Sequence, residues 1–366
     1  MTAGEHGGGR HIGIIGAGVA GLTVAYRRTL AGDRVSVFEA APHVGGQLST
    51  ERSGGFVVEQ GAEGFVSGSQ ALADLAASLG IGSHLLDQDV TVSCTFDGQT
   101  LRRLAPGEAG RLLGFQVGER AFGKGIQSFL GGMLELAEVL RDALGPASSC
   151  RSSTPIASVR PNGARWQIVT ASGDTVDVDR VVVATSALAA APLLAPVFGA
   201  PAAALSSSAA SSSVTVSLAY PRPAIAHALD ATGFVVAEGA QSEGFRACTF
   251  ASSKLRGRAP AEHALLRAFF RPSGDDLERL GDDAWAERAH RSLQRAFELR
   301  SLPERTWVSR WARALPVFDD AYRARIAALE ASLAGSGVSV SGACFHGSGI
   351  DAAVRSAEAA ARALDH

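Results

Sequence analysis

The stretch His11-Ile12-Gly13-Ile14-Ile15-Gly16-Ala17-Gly18-Val19-Ala20-Gly21 decides the fold of this chain. After the histidine its first residues are only isoleucine and glycine, the pattern of a parallel-sheet strand buried on both faces. From Val19 to Ala31 the residues Val19, Leu22, Ala25, Tyr26 and Leu30 recur at helical spacing, and Gly32 stands where a helix ends. Arg34 to Phe38 is a second β-rich run that leads into Glu39. A GxGxxG between strand and helix, with an acid closing the second strand, is the layout that binds a dinucleotide. Gly16 makes the tight turn, Gly18 lets a pyrophosphate reach the backbone at the helix N-terminus, Gly21 permits close helix packing, and Glu39 accepts from a ribose hydroxyl. Ala17, Val19, Ala20 and Ala40 complete the expected contacts.

The residues after Glu39 choose between NAD and FAD. Val44-Gly45-Gly46-Gln47-Leu48-Ser49-Thr50 resembles the GG motif of FAD-dependent amine oxidases and protoporphyrinogen oxidases, where it adds to the diphosphate cradle. The resemblance implies FAD, with Gly46 and Gln47 at the diphosphate. His43 and Gln47 stand where members often carry arginine, so anion binding would rest more on backbone amides and the helix terminus. No cysteine sits where some amine oxidases tether the flavin, which implies a noncovalent cofactor.

The resemblance extends over nearly the whole chain. Gly55 to Gly64 looks like the family segment that runs beneath the isoalloxazine, which implies cofactor contacts from Gly61, Ala62, Glu63 and Gly64. Pro155-Ile156-Ala157-Ser158-Val159 resembles its adenine-contacting strand, with Ile156 holding the base. Val181 to Thr185 is similar to its second Ala-Thr motif, followed here by Ser186 where proline or glycine is usual. Three stretches point to the protoporphyrinogen oxidase branch: Ala247 to Lys254 with Arg258-Ala259-Pro260, Arg310-Trp311 with Leu315-Pro316, and the C-terminal Ser341 to Ile350. They imply that Trp311 approaches the flavin and that Ser348, Gly349 and Ile350 face its pyrimidine, where reduction places negative charge. The chain departs from the family between Gly64 and Phe129, where members usually insert a much longer helical lobe that encloses the substrate. That lobe is shortened here.

With 366 residues the chain is long enough for two cores, since single cores stop growing near roughly 250–300 residues. Hydrophobic residues make up 46% and charged residues 19%, an ordinary globular composition. The net charge of -2 comes without a basic stripe, which argues against nucleic acid as a partner. Cys94, Cys150, Cys248 and Cys344 are far apart and without CxxC spacing, which fits free thiols in the cytoplasm and no metal site. Met1 to Arg10 lacks the apolar run of a signal peptide, and the Ala-rich stretch from Ala187 to Ala204 is broken by Pro192, Pro196 and Pro201. No transmembrane segment is expected, and peripheral membrane contact and a homodimer are left open. Pattern and turn signals place helices at Leu72–Leu79, Phe129–Leu144, Asp282–Leu299 and Asp351–Leu364, and read Leu188 onward as a loose connection.

The expected class is α/β: a Rossmann-like FAD/NAD(P)-binding domain (1–66, 129–206, 309–366) with a second, discontinuous α+β substrate domain on a mixed sheet (67–128, 207–308). The resemblance implies an oxidoreductase that takes a hydride from a carbon next to nitrogen, or from a C–C unit, of a small-molecule substrate such as a tetrapyrrole or natural-product intermediate. Oxygen or another acceptor would then reoxidise the flavin. His346, beside Cys344 in the flavin-facing turn, is the candidate base. Lys254, Arg258 and Arg313 read as solvated charges, with contact to an acidic substrate as the other reading. A flavin-bound scaffold that has lost catalysis with its lobe is the alternative from another class.

Overall fold

The computed structural model describes residues 9–112 and 125–365. Its first unit is a five-stranded parallel sheet in the order Ser149–Arg151, Arg34–Phe38, His11–Ile15, Arg180–Val183, Val338–Val340. Both faces are covered, which is why these strands read as unbroken apolar runs. On one face Ile12, Ile14, Val35, Val37 and Val182 pack against the Val19–Leu30 and Ile350–Ala363 helices. On the other, Ile15, Phe38, Val181, Val183 and Val340 meet a three-stranded antiparallel sheet (Ile156–Asn162, Arg165–Thr170, Thr175–Val178) and the Ala187–Phe198 and Asp320–Leu333 helices. Gly13 makes that contact close: a methyl there would come 2.3 Å from Ile168 Cδ1.

The second unit is a seven-stranded sheet in the order Arg305–Pro316, Ala210–Pro221, His263–Phe270, Phe245–Phe250, Gly233–Val236, Cys94–Phe96, Leu101–Arg103. Every pairing is antiparallel except that of Gly233–Val236 with Cys94–Phe96, so the sheet is mixed. One face carries an aromatic core closed by Trp285, Ala289 and Leu293 of the Asp282–Gln294 helix. A domain boundary drawn at residues 308 and 309 falls inside the Arg305–Pro316 strand, which stays hydrogen-bonded to this sheet through Pro316.

Two local expectations are corrected. The Phe129–Leu144 run is not one helix: Ile126–Phe129 is a strand that pairs with Leu85–Asp87, and the helix spans Leu134–Asp142. The break is Gly131-Gly132, with Gly132 at φ 89, a conformation that helix residues do not adopt. The stretch after Ser186 is a helix, Ala187–Phe198, although it contains Pro192 and Pro196. The Ser186 side chain accepts from the Ala189 N–H at its start, and burial of Ala190, Ala191, Leu193 and Leu194 against the sheet outweighs the hydrogen bonds that the prolines remove. Among the described residues no helix is long and apolar enough to cross a membrane.

The Phe234 ring lies 5.9 Å from Phe96, 5.9 Å from Phe245, 6.1 Å from Phe250 and 6.5 Å from Phe297, at the centre of the second core. Phe234→Ala is expected to cost about 3–5 kcal/mol of stability, read from the denaturant midpoint at unchanged slope.

Candidate FAD site

The adenosine end is set by Glu39 and the glycine turn. Gly16 is at φ 106, and a methyl there would come 2.6 Å from the Ala184 carbonyl oxygen. A methyl at Gly21 would come 2.0 Å from the Gly16 carbonyl oxygen, so helix and turn touch backbone to backbone. Gly18 caps the Val19–Leu30 helix in extended conformation with no side-chain cap and no acid in the first turn. The N–H groups there are left for an anion. The half-buried Glu39 carboxylate accepts the Ala17 N–H (2.7 Å) at one oxygen and the Ala41 N–H (2.9 Å) at the other. Each oxygen keeps lone-pair capacity for a ribose hydroxyl. The Glu39 main chain pairs with Arg151 and Thr154, which brings Pro155 and the half-buried Ile156 up beside Ala40.

The second glycine turn abuts the first. Gly45 donates to the Ala17 carbonyl at 2.9 Å and bridges Gly18, and a methyl on Gly46 would lie 3.3 Å from Gly18 Cα. Gly45 and Gly46 are at φ 111 and φ 57, so glycine meets both the close approach and the left-handed backbone. Gln47 sends its amide to the Ala314 carbonyl at 2.9 Å, so its side chain ties this loop to the seven-stranded sheet.

From there the path expected of the ligand continues to Gln60–Gly64. The Ala62 N–H donates to the Gln47 carbonyl (2.9 Å), and the Trp311 indole N–H donates to the Gln60 carbonyl (2.8 Å). Arg267 donates to the Gly61 carbonyl at 2.6 Å. A methyl at Gly61 would stand 2.0 Å from the Gln47 carbonyl oxygen and 3.1 Å from the Trp311 ring, and one at Gly64 would stand 2.4 Å from the Gln127 carbonyl oxygen. The far end of the path is a second helix start without a side-chain cap. Gly349, at φ 89 and open on its Cα side, caps the Ile350–Ala363 helix, with Ser348 exposed and Ile350 buried in the same core as Val19. The uncapped start of the Val19–Leu30 helix, two facing glycine turns and a carboxylate beside them fit FAD, while the Ile350–Ala363 helix carries Asp351 in its first turn.

His346 turns elsewhere. Its Nδ1 pairs with Ser356 Oγ (2.6 Å) and its Nε2 with Glu330 Oε1 (2.6 Å), in a groove of about 760 Å³ that also includes Arg180 and Arg355. Cys344 gives its Sγ–H to the Thr185 carbonyl, and burial pushes its thiol up to about 12, so it is not a thiolate near neutral pH.

Of the charges expected at the surface, Lys254 and Arg258 are inside instead. Lys254 Nζ is 2.9 Å from Glu63 Oε2, and both side chains are nearly buried. Arg258 is 1% exposed and reaches Ser128 Oγ (2.7 Å), the Phe129 and Leu130 carbonyls and, at 3.5 Å, Glu59. Arg313 stays exposed and donates to the Ser208 carbonyl. Burial raises the Glu59 carboxyl above its usual range despite Arg258. For Glu63 burial also acts upward, but Lys254, Arg267 and Arg258 outweigh it and hold the carboxyl low. Glu59 and Arg267 were not singled out from sequence. Arg267 carried a signal, as the lone charge in Ala264-Leu265-Leu266-Arg267-Ala268-Phe269-Phe270.

Glu39→Ala removes the ribose acceptor and both backbone bonds that align the turn. Hydrogen bonds to a charged group are worth about 1.5–3 kcal/mol each, so FAD affinity should fall about tenfold or more, measured by titrating apoprotein and following flavin fluorescence.

Residues 110–365 match the family described as flavin containing amine oxidoreductase, and residues 14–79 match the NAD(P)-binding Rossmann-like domain. Coproporphyrinogen III oxidase of Bacillus subtilis (strain 168) is 23% identical, over 96% of this chain and 97% of that protein. The alignment runs over 463 positions against 366 residues here, so many positions of the relative have no counterpart in this chain. Among solved structures, a protein provisionally named protoporphyrinogen oxidase from Exiguobacterium sp. 255-15 superposes with TM-score 0.82 at 21% identity, over 97% of this chain and 98% of that one. Putrescine oxidase bound to putrescine gives TM-score 0.70 at 16% identity, over 97% and 99%. The chain belongs to the flavin containing amine oxidoreductase family and is an FAD-dependent oxidoreductase.

Proposed function

We propose that this chain takes a hydride from a broad macrocyclic substrate of the porphyrinogen kind, or a natural-product intermediate of similar shape, laid on the face of the seven-stranded sheet opposite its aromatic core. Bound FAD supplies the hydride acceptor, and oxygen or another acceptor reoxidises it. The chain's own residues hold and orient the two partners.

The observation that carries this reading is one row of side chains. Strand register aligns Ser309, Thr215, Phe269, Ala247, Val235 and Thr95 across six strands, all on the face away from the aromatic core. Thr215 Oγ1 touches the Gln60 carbonyl, which sets the row beside the Gln60–Gly64 segment. Phe269 is the single large ring in the row, and the row holds no ionisable group. Ser213, Ala247, Phe269 and Trp311 are half-buried there. Thr95, Thr215 and Val235 of the row are buried and Ser309, Ala247 and Phe269 half-buried, and a face of small side chains suits a broad macrocycle better than a small amine. The coproporphyrinogen III oxidase named for the Bacillus relative supports the same class.

Both ring nitrogens of His346 are engaged, with Ser356 and Glu330, and a base role requires one of them to be released, so in this reading proton transfer rests with substrate and solvent. The positions of the relative that have no counterpart here favour a second reading, a flavin-bound scaffold without turnover. A homodimer that closes the open face, or peripheral membrane contact, belongs with the first.

Purified protein should be yellow and release FAD on heating. Anaerobic mixing with coproporphyrinogen III or protoporphyrinogen should bleach the flavin, and air should restore its colour as porphyrin fluorescence grows. A yellow protein that none of a panel of porphyrinogens and amines bleaches would leave the scaffold reading standing.

A further inference from the structure

Five charged side chains meet under the Gln60–Gly64 segment, and their charges do not cancel. Glu59 and Glu63 come from the first unit, and Lys254, Arg258 and Arg267 from the second. Glu63 is claimed by Lys254 at 2.9 Å and Glu59 by Arg258 at 3.5 Å. Arg267 has no carboxylate within ion-pair distance among the described residues. It is 2% exposed, and its contacts are the Gly61 carbonyl at 2.6 Å, Thr215 Oγ1 at 3.4 Å and the Phe269 ring at 4.9 Å.

Its Nε and Nη1 are buried without a hydrogen-bond partner, and so is Glu63 Oε1. Each such atom costs stability, and replacing buried charge by well-packed apolar groups is often neutral or favourable. A tie that served only to join two domains would not need an unmatched guanidinium. Burial disfavours the charge on Arg267, and Glu63 and Glu59 act to keep it.

We infer that Arg267 is a positioning residue for the flavin: its unmatched charge, held in a low-dielectric site against the Gly61 carbonyl, favours the reduced, more electron-rich cofactor and raises its reduction potential. This rests on the flavin ring lying along Gln60–Gly64, as in the proposed function. The potential of a bound flavin reports the ratio of affinities for its reduced and oxidised forms, and a fixed cation tightens the reduced form more. Screening by solvent is weak at a buried site, so the effect survives salt.

The sign of the charge supplies the test. The midpoint potential of bound FAD is measured by dye-coupled anaerobic reduction in wild type, Arg267→Met, Lys254→Met and Glu63→Gln, with FAD affinity titrated for each. Arg267→Met and Lys254→Met should lower the potential and Glu63→Gln should raise it. Each change should be about tenfold in the reduction equilibrium, about 30 mV for a two-electron couple. Should Arg267→Met fail to fold, Arg267→Gln, which also removes the charge, and Arg267→Lys, which keeps it and should hold the wild-type potential, carry the test. Shifts of one sign in all charge-changing variants, or potentials in them equal to wild type with FAD still bound, would overturn the inference and leave a structural tie. Loss of turnover does not enter this measurement, so failure of the proposed substrate class is read separately.

Discussion

A side chain at Gly21 would overlap the Gly16 carbonyl, and one at Gly16 would overlap the Ala184 carbonyl. Three pieces of backbone, a turn, a helix start and the end of a neighbouring strand, are thus in contact with no side chain between them. The rest of the site depends on that approach. It sets the uncapped start of the Val19–Leu30 helix at the carboxyl end of the central strand, aligns Glu39 across from it, and leaves the second glycine turn, Gly45-Gly46, room to close against Gly18. Helix-terminal amides bind anions well where nothing else satisfies them, and here no side chain does.

The second unit is joined to the first by polar contacts at the same place where the ligand path crosses it. Trp311 and Arg267 each take a carbonyl from Gln60-Gly61, Gln47 reaches across to Ala314, and Arg258 fastens onto Phe129 and Leu130. Hydrogen bonds of this kind add only modest net stability, because the same groups bond to water in the unfolded chain. What they supply is registration. The main chain of Gln60–Gly64 is held by donors from both sides, so the floor of the site moves with neither domain alone.

The sequence made the nucleotide half legible because its constraints are local. A strand, three glycines, a helix and an acid follow one another within the run His11 to Glu39, and each residue type has one physical reason to be there. The flavin half was expected only through resemblance, since Gly61 and Trp311, which lie against each other, come from distant segments. Three kinds of feature escaped. The Ala187–Phe198 helix was hidden by prolines whose local cost is offset by tertiary burial. The Gly131-Gly132 break was hidden inside an apolar period that suited a helix on both sides. The buried ion cluster was hidden because Lys254 and Arg258 gain their carboxylates from residues far earlier in the chain, and a charge without a visible partner reads as a surface charge. The turn of His346 toward Glu330 and Ser356 depends likewise on a helix that the motif does not contain.

The seven-stranded sheet has two free margins, and they are unlike. Leu101–Arg103 is three residues long and carries Arg102 and Arg103, with Arg103 paired to Asp230. Arg305–Pro316 is long, but its pairing slips between Ser211 and Ser213, and it carries Arg305, Arg310 and Arg313. Short length, irregular register and fixed positive charge each discourage another strand from docking along an edge. Among the described residues, growth of the sheet by strand addition, including the route to ordered aggregates, is therefore discouraged at both ends.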